Sequence, residues 1–323
     1  MSIPVPQKLL DFIRNHKKFI IAGHKDPDGD CVGSQLALAS VLKRLGKEVV
    51  VCSPGPFKRG EISAYQDRFA NAVRDEDRLG AAVVIMDCSV ASRTGDLEER
   101  LKGLPTAVVD HHEGGYRLAH EHPAFIDPSA PSTTFLTLAL IEALGIAPTE
   151  EEANLLFFGL CTDTGFFRHV DSAGYETFAY ASRLVKAGAN PKETFRLING
   201  GKTLVSRHFL GVLLARSRQY FDGRLILVAE EYHEIQHFGL ESRDSDAVYQ
   251  LLQTVDGVEV VMLIRQETLA SCTVGLRSRD KIDVSAIAAA FGGGGHKNAA
   301  GLSVEGTIET VCPRLLSAFE EIF

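Results

Sequence analysis

No stretch of this chain approaches the roughly 20 consecutive apolar residues that a membrane-spanning helix needs. The opening residues, MSIPVPQKLLDFIRNHKKFI, have neither the apolar core nor the small-residue cleavage site of an export signal. The six cysteines, at 31, 52, 88, 161, 272 and 312, form no CxxC pair and no compact disulfide framework. Reduced thiols in a cytoplasmic protein are the expectation that follows. Basic charge is short as well: 34 Lys and Arg face 42 Asp and Glu, a formal net charge of -8. A long, sequence-independent grip on nucleic acid needs many cations against phosphates, so that class is disfavoured. A small anionic ligand met by a few placed cations stays compatible with this balance. Internal repeats and low-complexity segments are also missing. What remains is ordinary globular composition over 323 residues, enough for two domains that each bury a core.

The first half alternates strand and helix. Apolar runs rich in Val and Ile near 18–25, 48–53, 81–89, 106–113 and 124–128 read as strands. Apolar positions recur at helical spacing in 34–46, 133–145 and 150–160. Buried strands separated by helices predict an α/β domain with a parallel sheet and helices on both faces. Residues 171–217 read as helices broken by Gly188, Pro191 and the GGK at 200–202, which predicts a linker over 188–207 between domains 1–187 and 208–323. In the second part, 219–231, 258–267 and 269–280 read as hairpin-forming strands, with helices near 243–254, 283–291 and 307–321. A smaller α+β domain is expected there, with the active site in the cleft between the two. Apolar helices such as 133–145 serve equally as sheet cover or as dimer contact, which leaves a homodimer open.

Four sites in the first half share one feature: Asp and His sit just past an apolar strand or helix. They are His24-Lys25-Asp26-Pro27-Asp28-Gly29-Asp30, then Asp87, then Asp110-His111-His112, then Asp163. In open α/β sheets the carboxyl ends of the strands are where ligands collect, so these residues are expected to converge on one crevice. That many carboxylates repel one another unless cations are present. Oxygen ligands with imidazole suit Mn, Mg, Fe or Zn. The carboxylates of Asp28, Asp30, Asp87 and Asp163 match two divalent cations, and Gly29 gives the backbone freedom to aim its two neighbours. Two such ions about 3.5–4 Å apart would clamp a hydroxide and polarise a phosphoryl group. Taken singly, each Asp reads equally well as a helix cap or turn residue, and D-P-D-G is a good turn by itself; the coincidence of four sites decides the matter.

HKDPDGDCVGSQLAL, MDCS, DHH and CTDTGFF, in this order, resemble the motifs of the DHH phosphoesterase family, and GGGGHKNAAG (292–301) resembles the signature of the DHH-associated C-terminal domain. The combination is most similar to the NrnA-type, nano-RNase branch, described as acting on short oligoribonucleotides and on 3'-phosphoadenosine 5'-phosphate (pAp). The resemblance implies His24, Asp28 and Asp87 on one metal, with Asp30, Asp87, His111 and Asp163 on the other, and manganese as the cation. It implies catalytic roles for Asp87, for His112 at the scissile phosphate or leaving oxygen, and for Asp110 as the group that orients an imidazole. Asp26 lies off the H-x3-D-x-D positions and reads as a loop residue.

For the substrate, Gly293, Gly294 and Gly295 are expected in a tight turn whose N–H groups approach a phosphate, with His296 adding a donor. Arg277 and Arg279 lie two apart at a strand end and point to one face if the strand is regular; the resemblance favours Arg277 as phosphate anchor. Phe166 and Phe167 read as core or as base-stacking rings, with Arg168 and His169 following them. Ser132, Thr133 and Thr134 read as a helix cap first, and as a cap combined with a contact near the site second. Cys31, Cys88 and Cys161 read as small buried side chains and not as ligands. The expected activity is two-metal hydrolysis of short oligoribonucleotides to mononucleotides, possibly extending to pAp. Rival readings are a cyclic or linear dinucleotide phosphodiesterase, an inorganic pyrophosphatase, a processor of long single strands like RecJ, and a nucleotide-binding sensor without turnover.

Overall fold

The computed structural model describes residues 3–113, 121–170, 172–279 and 281–323. The chain divides into two compact units, Met1–Gly201 and Lys202–Phe323.

The first unit is built on five strands, β1 (Lys18–Ala22), β2 (Glu48–Cys52), β3 (Ala81–Met86), β4 (Thr106–Asp110) and β5 (Ala124–Ile126). All pair in parallel, in the order β2-β1-β3-β4-β5. Strands β3 and β4 are buried at every residue, which is why they read as unbroken apolar runs and not as alternating ones. Phe19, Ile21, Val84 and Val109 face one core together with helices α1 (Gln7–Asn15), α2 (Gly29–Arg44), α3 (Thr133–Ala143) and α4 (Glu150–Asp163). Ile20, Ala22, Val83, Ile85 and Val108 face a second core on the opposite side, closed by Val73, Leu97 and Leu101. The order of connection reverses between β1 and β3, so the loop after β1 and the residue after β3 emerge side by side. Helices α2 and α4 approach so closely that a methyl on Gly33 would come within 2.5 Å of the Leu155 carbonyl. A side chain on Gly159 would likewise press on Asp30.

The segment 188–207 is built largely of helix, and the division between the two units at Gly201 and Lys202 falls inside it. Helix α5 (Tyr175–Lys186) is followed by α6 (Pro191–Asn199), and α7 (Leu204–Ala215) opens the second unit. Asn190 caps α6 through Lys192 and Glu193 N–H, with Pro191 at its first position, so the proline read as a breaker is a helix start.

The second unit carries a six-stranded mixed sheet. Its strands are β6 (Arg218–Tyr220), β7 (Leu225–Glu230), β8 (Val260–Thr268), β9 (Ser271–Ser278), β10 (Gly294–His296) and β11 (Ala299–Glu305), in the order β10-β11-β9-β8-β7-β6. Only β7 and β8 pair in parallel. Its helices after α7 are α8 (Tyr232–Phe238), α9 (Ser245–Leu252), α10 (Val284–Ala290) and α11 (Ile308–Ser317). Met262, Ile264, Val274, Leu276 and Leu302 pack beneath α10 and α11. On the other face α7 and α9 cover Ile226, Val228, Val261 and Leu263. The part of that face formed by β9, β11 and β10 carries an open groove of about 780 Å³.

Candidate active site

Each polar group of the first unit is delivered by a strand or helix end. Asp28 caps α2 by accepting the Cys31 N–H, and Asp30 lies in the helix's first turn. Gly29 is the first helical residue, and its missing side chain makes room for Thr162 of α4, not for a flexible turn. Asp87 follows β3 in the left-handed region at φ 61, an unusual conformation for a residue other than glycine. Its N–H still donates to the Val109 carbonyl, so the strand aims the carboxylate before the chain turns away. Asp110 ends β4, His111 and His112 follow it, and Asp163 ends α4.

These residues meet at one place. His24 Nε2 lies 3.3 Å from Asp87 Oδ2 and 3.8 Å from Asp28 Oδ1. On the other side, His111 Nε2 lies 3.0 Å from Asp163 Oδ2, 3.7 Å from Asp87 Oδ1 and 3.9 Å from Asp30 Oδ2. Asp87 therefore turns one oxygen toward each histidine. Both imidazoles are oriented by backbone: the Nδ1 of His24 bonds the Lys25 carbonyl and that of His111 the Ala130 carbonyl. Asp110 instead holds His112, accepting from its backbone N–H and bonding its Nδ1 at 2.8 Å. The His112 ring is half-exposed, and among the described residues its Nε2 has no hydrogen-bond partner.

Two threonines that read as cap residues join the site. Ser132 does cap α3, but the backbone N–H groups of Thr133 and Thr134 donate to the two oxygens of Asp30 at 2.5 and 2.9 Å. The Thr133 hydroxyl donates to Asp87 Oδ1 at 2.8 Å. The positive end of α3 thereby holds a fully buried carboxylate in place. The exposed Asp26 lies outside the cluster, paired with Lys58 Nζ at 2.9 Å. Cys31 lies beside His24 and Asp87, but burial pushes its thiol up to about 11 and keeps it protonated. Phe166 and Phe167 pack on the first core, Phe167 stacked on Phe178.

The charges are strongly coupled. Burial, then the neighbouring Asp87 and Asp163 carboxylates, raise Asp30 well above the usual carboxylate range. Asp163 is raised as well, by burial first and by Asp87 and Asp28 next. Burial works against the His111 imidazolium, yet the bond to Asp163 and the charges of Asp30 and Asp87 lift it to about 10. Burial opposes Asp28 too, but the His24 bond and charge hold it below its ordinary value. His112 is raised chiefly by its bond to Asp110.

A linkage prediction follows for protein stripped of divalent cations by a chelator. Asp30, Asp163 and His111 have raised folded values, so their contribution is present at low pH and is lost as pH climbs through those values. The depressed Asp28 matters only below the ordinary carboxylate value of about 4. The melting temperature should therefore fall as pH rises from about 6.5, the ordinary histidine value, towards about 10, the window over which folded His111 still holds a proton that the unfolded chain has lost. A calorimetric profile that rises over that range would contradict the coupling.

In the second unit, Arg277 lines the open groove, its guanidinium 4.7 Å above the Tyr249 ring. Arg279 falls outside β9 and outside the groove lining, because the strand ends at Ser278 and the Arg279 N–H turns to the Glu259 carbonyl. The glycine run is not a tight turn: Gly294, Gly295 and His296 form β10, paired with β11. Gly293 and Gly295 are required by close backbone approach, since a methyl would lie 2.3 Å from the Gly301 carbonyl or 2.4 Å from the Ala299 carbonyl. Gly294 lines the groove and His296 is exposed beside it. Arg265 and Tyr249, which sequence reading passed over, line it too.

Residues 18–160 match the model of the DHH family, N-terminal domain, and residues 225–323 that of the DHHA1 domain. The bifunctional oligoribonuclease and PAP phosphatase NrnA of Thermus thermophilus is 31% identical over 318 residues, covering 93% of this chain and 89% of that protein. An exopolyphosphatase-related protein from Bacteroides fragilis superposes with a TM-score of 0.83 at 24% identity, over 97% of this chain and 96% of that one. RecJ of Thermus thermophilus, solved in complex with Mn2+, gives a TM-score of 0.54 at 17% identity and covers 100% of this chain and 56% of its own. Among the described residues no helix is long and apolar enough to cross a membrane.

Proposed function

The chain belongs to the DHH family of phosphoesterases and is a hydrolase by that membership; from this premise we propose that it is a metal-dependent phosphodiesterase releasing mononucleotides from short oligoribonucleotides and AMP from pAp. One observation carries the reading: Asp87 offers one oxygen toward His24 and the other toward His111, at the centre of four carboxylates. The likeness to NrnA along nine-tenths of the chain supports the substrate class.

The donor set fits divalent cations. Among the described residues no Lys or Arg pairs with Asp28, Asp30, Asp87 or Asp163, and burial together with their crowding raises Asp30 and Asp163. Carboxylate oxygen with imidazole is hard-to-borderline chemistry that suits manganese or magnesium. His24, Asp28 and Asp87 would hold one cation, and Asp30, Asp87, His111 and Asp163 the other. Bound there, such cations supply Lewis-acid stabilisation of phosphoryl charge and an acidified water.

The remaining work falls to side chains. Asp110 fixes His112 through Nδ1 and strengthens its hold on a proton, which suits Nε2 to deliver one to the leaving oxygen. Thr133 and the start of α3 hold Asp87 and Asp30 at fixed angles. Arg277 presents its planar donors to a substrate phosphate, with His296 beside it and Gly294 leaving the strand backbone open.

The test is hydrolysis with Mn2+ of a 5'-phosphorylated diribonucleotide, a longer RNA, pAp and pyrophosphate side by side. Mononucleotides from the first and AMP from pAp are expected, with the longer RNA and pyrophosphate slow. Cleavage of pyrophosphate alone would overturn the reading.

A further inference from the structure

The entry to α3 reaches ligands of one proposed cation in particular. The Ala130 carbonyl meets His111 Nδ1 at 3.2 Å. The Thr133 and Thr134 N–H groups take one oxygen each of Asp30, at 2.5 and 2.9 Å, and the Thr133 hydroxyl donates to Asp87 Oδ1 at 2.8 Å. The segment is itself anchored at both ends. Asp127 N–H donates to the Asp110 carbonyl and Ala130 N–H to the Asp127 carbonyl, which ties it to the end of β4 beside His111. Further on, the Thr137 hydroxyl donates to the Thr133 carbonyl at 2.8 Å and the Tyr180 hydroxyl to the Thr134 carbonyl. Ser132, Thr133, Thr134 and Thr137 are fully buried.

The opposite half of the cluster is supported by local bonds. His24 Nδ1 bonds the carbonyl of its own neighbour Lys25, an exposed loop residue, and Asp28 takes the Cys31 N–H three residues on. Both bonds lie within the loop after β1 and the first turn of α2. The Thr133 hydroxyl sits on Asp87 Oδ1, the oxygen toward His111, while Oδ2 turns to His24. A carboxylate or imidazole held by an outer bond is already aimed when a cation arrives, so less freedom is lost on binding. That advantage accrues to the His111 side through a rigid, buried helix start, and to the His24 side only through a loop that can move with its ligands.

We propose that residues 130–134 make the two cation positions unequal: the one between Asp30, Asp87, His111 and Asp163 is preformed and fills first, and the one between His24, Asp28 and Asp87 fills only at higher concentration. Thr133 is the positioning residue that sets the difference, because its hydroxyl reaches the shared carboxylate. The proposal rests on the two-cation reading above. Hydrolysis then follows the filling of the weaker position, and protein carrying one cation is idle.

Titration of the stripped full chain with Mn2+, the free ion being counted by electron paramagnetic resonance, tests it without substrate. Wild type should take up two ions with dissociation constants at least about tenfold apart, the lower end of what an outer bond contributes to metal affinity. His24→Ala should lose the weaker event and keep the tighter one, and His111→Ala the reverse. Thr133→Val removes the hydroxyl at nearly constant volume and should weaken the tighter event about 10–100-fold, while Thr133→Ser keeps the donor and should stay within about threefold of wild type. A threonine that served packing alone would give the opposite order, because valine fills its space and serine does not. Two equal events in wild type, loss of the tighter event in His24→Ala, or an unchanged tighter event in Thr133→Val would overturn the proposal. Uptake of fewer than two ions by wild type would sink the two-cation reading beneath it. Two unequal events without hydrolysis of any phosphodiester would instead sink the phosphodiesterase reading alone.

Discussion

Asp87→Asn is expected to lower hydrolysis of a diribonucleotide by about 10³-fold or more, some 4 kcal/mol of transition-state stabilisation. The size of the effect follows from the position of one side chain, whose two oxygens face two histidines that share no other partner among the described residues. Asparagine keeps the shape and tolerates the left-handed backbone that Asp87 adopts, so the variant should fold. It should even melt higher than wild type in chelator, because a negative charge that raises Asp30 and Asp163 has gone. The two readouts move in opposite directions, which separates loss of chemistry from loss of structure. Activity within tenfold of wild type would remove Asp87 from the reaction.

His112→Ala should reduce kcat by about 10²–10⁴-fold, the range for a lost general acid, with KM little altered. The loss should shrink when the substrate is a nucleotide ester of 4-nitrophenol, whose leaving oxygen needs no proton. Asp110→Asn acts through the same imidazole. Because the bond to Asp110 is the main cause of the raised His112 value, its removal lowers that value. The alkaline fall in kcat should then begin at lower pH than in wild type. An identical profile in Asp110→Asn, or equal losses with both leaving groups in His112→Ala, would assign the proton to another group.

Much of this was legible in the chain. The unbroken apolar runs of β3 and β4 announce strands buried on both sides, and the polar residues after them announce where those strands open to solvent. That His24, Asp87 and Asp110 emerge together follows from parallel pairing, which alternating strand and helix already imply. Thr133 and Thr134 were only half legible, with the contact near the site ranked behind capping, because a cap and a ligand-holding donor look alike in sequence. The distinction depends on α3 pointing at Asp30, over a hundred positions away. Arg265 was hidden for a related reason. Its alignment with Thr273 and Ser303 depends on strand register, and no residue spacing along one strand reveals its neighbour's offset. The glycine run misled in the other direction: four glycines suggest a loop, yet three residues of the motif pair as a strand, and the backbone of β11 comes close enough to require glycine at 293 and 295.

Two glycines of the groove lining, Gly294 and Gly301, differ from those that the fold demands. A methyl group built on Gly294 would meet nothing within 4 Å, and one on Gly301 would make only an ordinary contact with the Val274 carbonyl. Neither has a backbone conformation that excludes alanine. Each leaves the unfolded chain looser than alanine would, at about 0.4–1 kcal/mol per position. The folded protein thus stands roughly 1–2 kcal/mol below the stability its own backbone would permit at these two places. Among the described residues no contact repays that cost, so the groove floor is kept clear at the expense of the fold that carries it.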